Sequence, residues 1–339
     1  MRKVRNLIFA STAFAFALAL AGYFFAVRKP SLPDFLANRS DGYEQIVALG
    51  KTVDRDPKLV TNAVEFIASN PKVFQEFARV AQLHFEPPER QYEQYRMEND
   101  ILPLSRLSRA WLIREQQLEK ERQFAAAADA CVTNLIYCLN IERGPLINLL
   151  IGIALEQPTV HYLNQLIPKL STNDLARLVP RLRKLNRSRI DFEEVARRER
   201  YFGKMNSDGV VDDIKEWWSG QLQSQFDSAK ERLKVAEAQV EILAATLAAS
   251  EYRIARGHAP TSLRDLVPSI LDSESIDPFS SQPLHFLLNG TNIVIYSVGP
   301  NGKDEKGKTG DIVVLGYIAP PTKASVTEPA LKRIFSRSP

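Results

Sequence analysis

Between Gln221 and Arg256 the chain has neither proline nor glycine, and Leu222, Phe226, Ala229, Leu233, Ala236, Val240, Leu243 and Leu247 recur at alternating spacings of four and three. That stripe predicts one long helix carrying an apolar seam over nearly four heptads. The seam has two outlets, a coiled-coil dimer or burial against the chain's own C-terminal sheet. The alanines in the seam and the character of the adjoining segment favour the second.

Upstream, from Pro33 to about Lys204, the apolar positions also keep a helical period. Breaks are predicted at Asp56-Pro57, Asn70-Pro71, Glu86-Pro87-Pro88, Gly144-Pro145, Gln157-Pro158 and Ser171-Thr172-Asn173, each a helix stop or a capping arrangement. One hairpin is legible in detail. Leu104, Leu107, Trp111 and Leu118 line its first helix, and Phe124, Ala127, Cys131, Leu135 and Cys138 its second, with Ala125 to Ala128 allowing close approach. It resembles a single tetratricopeptide-type unit, without a second copy at that period. The apolar run Leu146 to Leu155 is too short to span a bilayer and predicts a buried helix.

Downstream of the long helix the period changes from helical to alternating. Gly257 ends the helix, Thr261 or Ser262 caps a short one through Leu271, and Ile276-Asp277-Pro278 turns the chain. Strands are predicted at Leu284 to Leu288, Thr291 to Val298 and Asp311 to Tyr317, with Asn289-Gly290 as a hairpin signal between the first two. From Ala319 onward Pro, Ser, Thr and Lys dominate, with Lys323, Lys332, Arg333 and Arg337, a composition that predicts a disordered basic tail.

The first residues read differently again. Arg2, Lys3 and Arg5 precede an uncharged run from Asn6 to Val27, closed by Arg28-Lys29-Pro30. A helix of that length spans about 33 Å, enough for a hydrocarbon core of about 30 Å. The basic end favours the cytoplasm and sends the bulk of the chain to the periplasm. A cleaved signal peptide is the rival, with small-residue sites at Ala17-Leu18-Ala19 and Ala19-Leu20-Ala21. The apolar run continues past both sites, which favours a single-pass inner-membrane anchor.

Composition sets bounds rather than a function. The chain has 339 residues, 45% of them hydrophobic and 25% charged, and a net charge of +4, which implies ordinary globular cores and no nucleic-acid footprint. Arg177, Arg181, Arg183, Lys184, Arg187 and Arg189 form a basic run, but Asp191, Glu193, Glu194 and Glu199 follow at once, so a solvated helix face is expected. His84, His161, His258 and His285 are isolated. Cys131 and Cys138 lie two helical turns apart, about 10 Å, beyond disulfide reach, and are expected to be reduced core residues. Ser69-Asn70-Pro71-Lys72 and Lys308-Thr309-Gly310 echo two elements of penicillin-interacting serine enzymes, without the middle Ser-Asp-Asn element. Asp212-Asp213 and Glu193-Glu194 read as solvated faces, and no phosphate loop, dinucleotide fingerprint or nucleophile elbow occurs.

One stretch carries a family likeness. Tyr252 to Gly257, Pro260 to Leu266, Asp277-Pro278-Phe279, and Tyr296-Ser297-Val298-Gly299-Pro300-Asn301-Gly302 ending in Gly310-Asp311-Ile312 together resemble the C-terminal part of the major pseudopilin of type II secretion, from about Ala245 to Val314. The chain departs from that family at its apolar helix, which opens Asn6-Leu7-Ile8-Phe9-Ala10 without the family's glycine and glutamate processing signal. The layout as a whole is similar to that of bacterial membrane-anchored proteins. In pseudopilins the last loop binds calcium, and the resemblance implies Asn301, Asp304, Glu305 and Asp311 as the corresponding oxygen donors here, with Lys303, Lys306 and Lys308 opposing them.

The expectation is therefore a mainly α fold. An N-terminal membrane anchor (1–29) leads to an α-helical, tetratricopeptide-like interaction domain (30–208). A long helix plus a small α+β pseudopilin-like module with a short antiparallel sheet (209–318) and a basic tail (319–339) follow. The expected role is non-enzymatic protein binding or scaffolding. An accessory component of a type II secretion or type IV pilus-like system and a hydrolase of unrecognised type are the alternatives.

Overall fold

The computed structural model describes residues 42–314 apart from 55, 57, 84–86, 93, 207–220 and 290–291. The anchor expected at 6–27 and the tail at 319–339 lie outside the described residues, as do Asp212-Asp213.

Helices α1 (Gly42–Asp54), α2 (Lys58–Thr61), α3 (Ala63–Ser69) and α4 (Pro71–Ala81) open the described chain. Asn62 caps α3 by accepting from the Glu65 amide, and Pro71 starts α4, where its missing N–H deprives the helix of nothing. Then come α5 (Gln94–Lys120) and α6 (Phe124–Ile141), the expected hairpin. Its apolar faces meet in the core, where Leu104, Leu107, Trp111, Leu118, Ala127, Cys131, Leu135 and Cys138 are buried and both cysteines are free. Trp111 Nε1 donates to the Ala130 carbonyl at 2.8 Å and Tyr137 Oη to that of Leu104 at 2.9 Å, so the large aromatics reach partners across the pair. Phe77 of α4 stacks on Trp111, ring centroids 4.3 Å apart. By length and composition α6 is apolar enough to cross a membrane, but most of it is buried in this core.

Helix α7 (Leu146–Leu166) contradicts the break expected at Gln157-Pro158, because it runs through Pro158. A helix-interior proline costs about 3 kcal/mol or more. The buried Val160, Tyr162, Leu163 and Leu166 beyond it offset that cost by continuing the apolar face. Proline also sits inside α5 (Pro103) and inside α8 (Thr172–Arg187), at Pro180. The start of α8 follows the expectation: Ser171 Oγ accepts from the Asp174 amide and the Asp174 carboxylate accepts from the Ser171 amide, a complete capping box. Helix α9 (Phe192–Asn206) precedes α10 (Gln221–Arg256).

The heptad stripe resolves in favour of burial within the chain. Ala229, Leu233, Ala236, Val240, Leu243 and Leu247 are buried, and α10 packs against α7, α8 and the sheet. Gly257 closes it at φ 76°, a conformation that costs glycine little. The short helix expected through Leu271 is only a 3₁₀ turn at Leu263–Leu266, capped by Ser262. Val267 precedes Pro268, and proline pushes its predecessor out of helical geometry. Strands β1 (His285–Asn289), β2 (Asn292–Ser297) and β3 (Ile312–Val313) form an antiparallel sheet in that order, with Asn289 opposite Asn292 and Ser297 opposite Ile312. Leu284, Ile295 and Val314 join the main core alongside Leu243 and Leu247.

Candidate functional site

The basic run on α8 is largely exposed, with Arg183 alone among its arginines buried, and its arginines are paired rather than free. Arg177 and Arg181 both pair with Asp129 of α6, and Arg183 and Arg187 both pair with Asp272, which precedes the sheet. Arg183, buried, also donates to the Ser273 carbonyl (3.0 Å) and Oγ (3.1 Å) and the Glu274 carbonyl (3.4 Å). The guanidinium fork suits this use, because its fixed donors can hold a carboxylate and several other acceptors at once. One side of α8 thus grips the helical array and another grips the module.

Where α8, α10 and the 273–278 segment meet, a cleft of about 330 Å³ opens. Its floor is polar: Asn186, Glu237 and Glu241 line it. Asn186 Nδ2 donates to the Glu237 carbonyl at 3.1 Å, while its Oδ1, buried, accepts nothing. Glu241 is 9% exposed, and its Oε1 lies 3.3 Å from Arg183 Nε without an aligned hydrogen bond. Burial raises the Glu237 carboxyl, against the pull of Arg189 and Lys234. Ile276 and Pro278 form an apolar lip, with Ile276 exposed. The hydroxyl on the wall, Ser273 Oγ, lies within hydrogen-bond distance of Arg183, Arg187 and Asp272.

Behind Glu237 lies a fully enclosed ion cluster. Arg189 donates to Glu142 Oε1 at 2.6 Å and Glu156 Oε2 at 2.9 Å, with side-chain exposures of 2%, 0% and 0% respectively. Gly152 makes this possible, because a Cβ there would sit 2.5 Å from Glu142 Cγ and 2.7 Å from the Cys138 carbonyl. Burial raises both carboxyls against the opposing pull of Arg189. Burial alone would lower the Arg189 guanidinium, but the two carboxylates hold it charged. Two acids around one base in a closed space favour one acid keeping its proton. Deeper still, Glu115 is buried with neither oxygen in an aligned hydrogen bond, and burial pushes its carboxyl up to about 8 against the weaker pull of the neighbouring Cys131 thiol and Asn134 amide. Ser108, Asn134 and Thr159 run in a hydrogen-bonded row nearby, Ser108 Oγ donating to Asn134 Oδ1 (3.2 Å) and Asn134 Nδ2 to Thr159 Oγ1 (2.8 Å).

In the module, Asp277 is a buried hub. Its carboxylate accepts from the Phe279 amide (2.9 Å), Ser297 Oγ (2.8 Å) and the Val298 amide (3.0 Å), tying the turn to the end of β2. The loop expected to hold calcium turns its oxygens onto its own amides and side chains, with Asn301 and Asp304 exposed. Asp311 accepts from the amides of Glu305 (3.3 Å) and Gly307 (2.7 Å), and Asn301 Oδ1 from that of Lys303 (2.9 Å). Asp304 accepts from Tyr296 Oη and the Lys306 amide, both at 2.8 Å, and Asp304 Oδ2 lies 3.6 Å from Nδ1 of His285. Glu305 Oε2 is buried without a donor. Among the described residues no three His, Cys, Asp or Glu side chains gather into a metal-holding group. As folded, the four oxygen donors serve the loop's own amides and side chains.

The two serine-enzyme echoes fall on unrelated elements. Ser69 and Lys72 flank the α3–α4 junction, and Lys308 to Gly310 lie between β2 and β3. Sequence reasoning missed Asn186, Glu237 and Glu241, because nothing in a polar helix position marks it as the floor of a cleft built from three distant segments. It also missed Glu142 and Glu156, although Glu156 interrupting an apolar run was a signal. No family model, curated protein or solved structure matches the chain.

Proposed function

We propose that this chain is a non-enzymatic binding or scaffolding protein, anchored in the inner membrane through residues 6–27 with its bulk in the periplasm. The observation that carries the reading is the seam cleft: a charged and amide floor with an apolar lip, held in shape by the buried Arg183 and by a helix shared between array and module. Its wall hydroxyl, Ser273, already has partners in Arg183, Arg187 and Asp272, and no histidine lines the cleft to activate it. These engaged partners favour recognition over reaction at this cleft. The sequence likeness of the α5–α6 hairpin to a tetratricopeptide-type unit is consistent with this reading, since arrays of such units present binding surfaces to partners.

The sequence likeness of residues 245–314 to the major pseudopilin favours a second reading, docking to a type II secretion or type IV pilus-like assembly. The missing processing signal counts against polymerisation but not against docking. In-cell crosslinking of the full-length protein with mass spectrometry of captured partners tests both. A reproducible set of envelope proteins supports scaffolding, pseudopilins among them support the second reading, and an empty capture overturns both.

A further inference from the structure

We infer that the seam cleft is a receptor for a basic side chain, an arginine or lysine presented by a protein partner. The inference rests on the binding role just proposed and gives it a chemistry.

The cleft leans toward unpaired acceptors. The two arginines that line it are already held: Arg183 and Arg187 both pair with Asp272, and Arg183 donates further to Ser273 and the Glu274 carbonyl, leaving Arg183 Nε, which faces Glu241, without an aligned bond. The acceptors of the cleft are not. Asn186 Oδ1 is buried without a donor, Glu241 Oε1 is buried without an aligned one, and the Glu237 carboxylate has no ion pair among the described residues. Unmade hydrogen bonds at buried acceptors are costly, so a ligand bringing several N–H groups gains what the free protein lacks. Glu237 adds the sign of the charge. Burial disfavours its ionised form, and an incoming cation would relieve that.

Shape then separates a side chain from a bare ion. Ile276 and Pro278 give the mouth an apolar lip above the polar floor. A volume of about 330 Å³ lies at the lower end of ordinary ligand pockets. Arginine and lysine match that profile, since each carries a charged head on an apolar stem. Arginine fits better, because several N–H groups on one plane can reach Asn186, Glu237 and Glu241 together.

The test titrates full-length protein in detergent with acetyl-Gly-Arg-Gly-amide, its lysine analogue, its citrulline analogue and spermidine, followed by calorimetry. The arginine peptide should bind about tenfold more tightly than the citrulline peptide, which keeps the shape but loses the charge. Glu237→Gln should reduce that affinity by a similar factor while leaving the melting temperature unchanged. Equal binding of the citrulline peptide, unchanged affinity in E237Q, no binding of either basic peptide, or spermidine binding in preference to both would each overturn the assignment. Crosslinked partners still captured by E237Q would overturn this site while leaving the scaffolding role in place. Partners lost only in that variant would support both.

Discussion

Arg189 holds two carboxyls that have no other cation within ion-pair distance among the described residues, and removing it should expose how much that arrangement matters. Arg189→Met is expected to lower unfolding free energy by about 3–5 kcal/mol in urea titrations, because it leaves buried acids uncompensated. Adding Glu142→Gln and Glu156→Gln in the same background should recover most of the loss. Glu115 makes a prediction in pH. Its carboxyl is raised from 4.5 to about 8 in the folded chain, so the folded state keeps a proton that the unfolded state releases across that window. Stability attributable to this group therefore falls as pH rises from about 4.5 through about 8 and then levels off. Glu115→Gln should flatten that slope in melting curves recorded between those pH values. Asp311 holds the loop amides of Glu305 and Gly307, so Asp311→Ala should lower the melting temperature equally with and without calcium. A calcium-induced rise in the parent protein, absent in the variant, would instead identify a cation site.

Helix α8 works as a connector, and its two arginines facing the module differ in environment. The Arg187–Asp272 pair is more than half exposed on both sides, and a double-mutant cycle should find below about 1 kcal/mol. Arg183 is buried and serves Asp272, Ser273 and Glu274, so Arg183→Ala should cost more, about 1–3 kcal/mol in urea unfolding, by stranding acceptors. Elements whose signals are local were legible in advance. The heptad stripe became α10 at the expected ends, the Ser171 cap appeared with its box, and the 104–138 hairpin packed on its predicted faces. Elements decided by distant packing were not. Pro158 reads locally as a stop, and only the apolar face beyond it explains why α7 continues. The pairing of the exposed arginine run was not legible, because its counter-charges Asp129 and Asp272 lie about fifty to ninety positions away. The cleft was illegible for the same reason: its floor joins positions 186, 237 and 241, which meet only after α8 and α10 pair.

At the scale of the molecule, one core cluster contains Tyr43 and Trp111 from the helical array together with Leu284, Ile295 and Val314 from the module. Array and module should therefore unfold together. Far-UV circular dichroism, which follows the helices, and the near-UV bands of the packed aromatic side chains should give coincident midpoints; separated midpoints would show two independent units. The same feature has a consequence during synthesis. Helices α7 and α8 are complete by Arg187, but the helix that covers their apolar faces ends only at Arg256. At ordinary translation rates that interval lasts on the order of several seconds, during which most of the array exists with one flank uncovered. The nascent chain thus waits, partly built and adhesive, for its last long helix to arrive, and any factor that shields it in that interval would act on the surfaces that α10 later occupies.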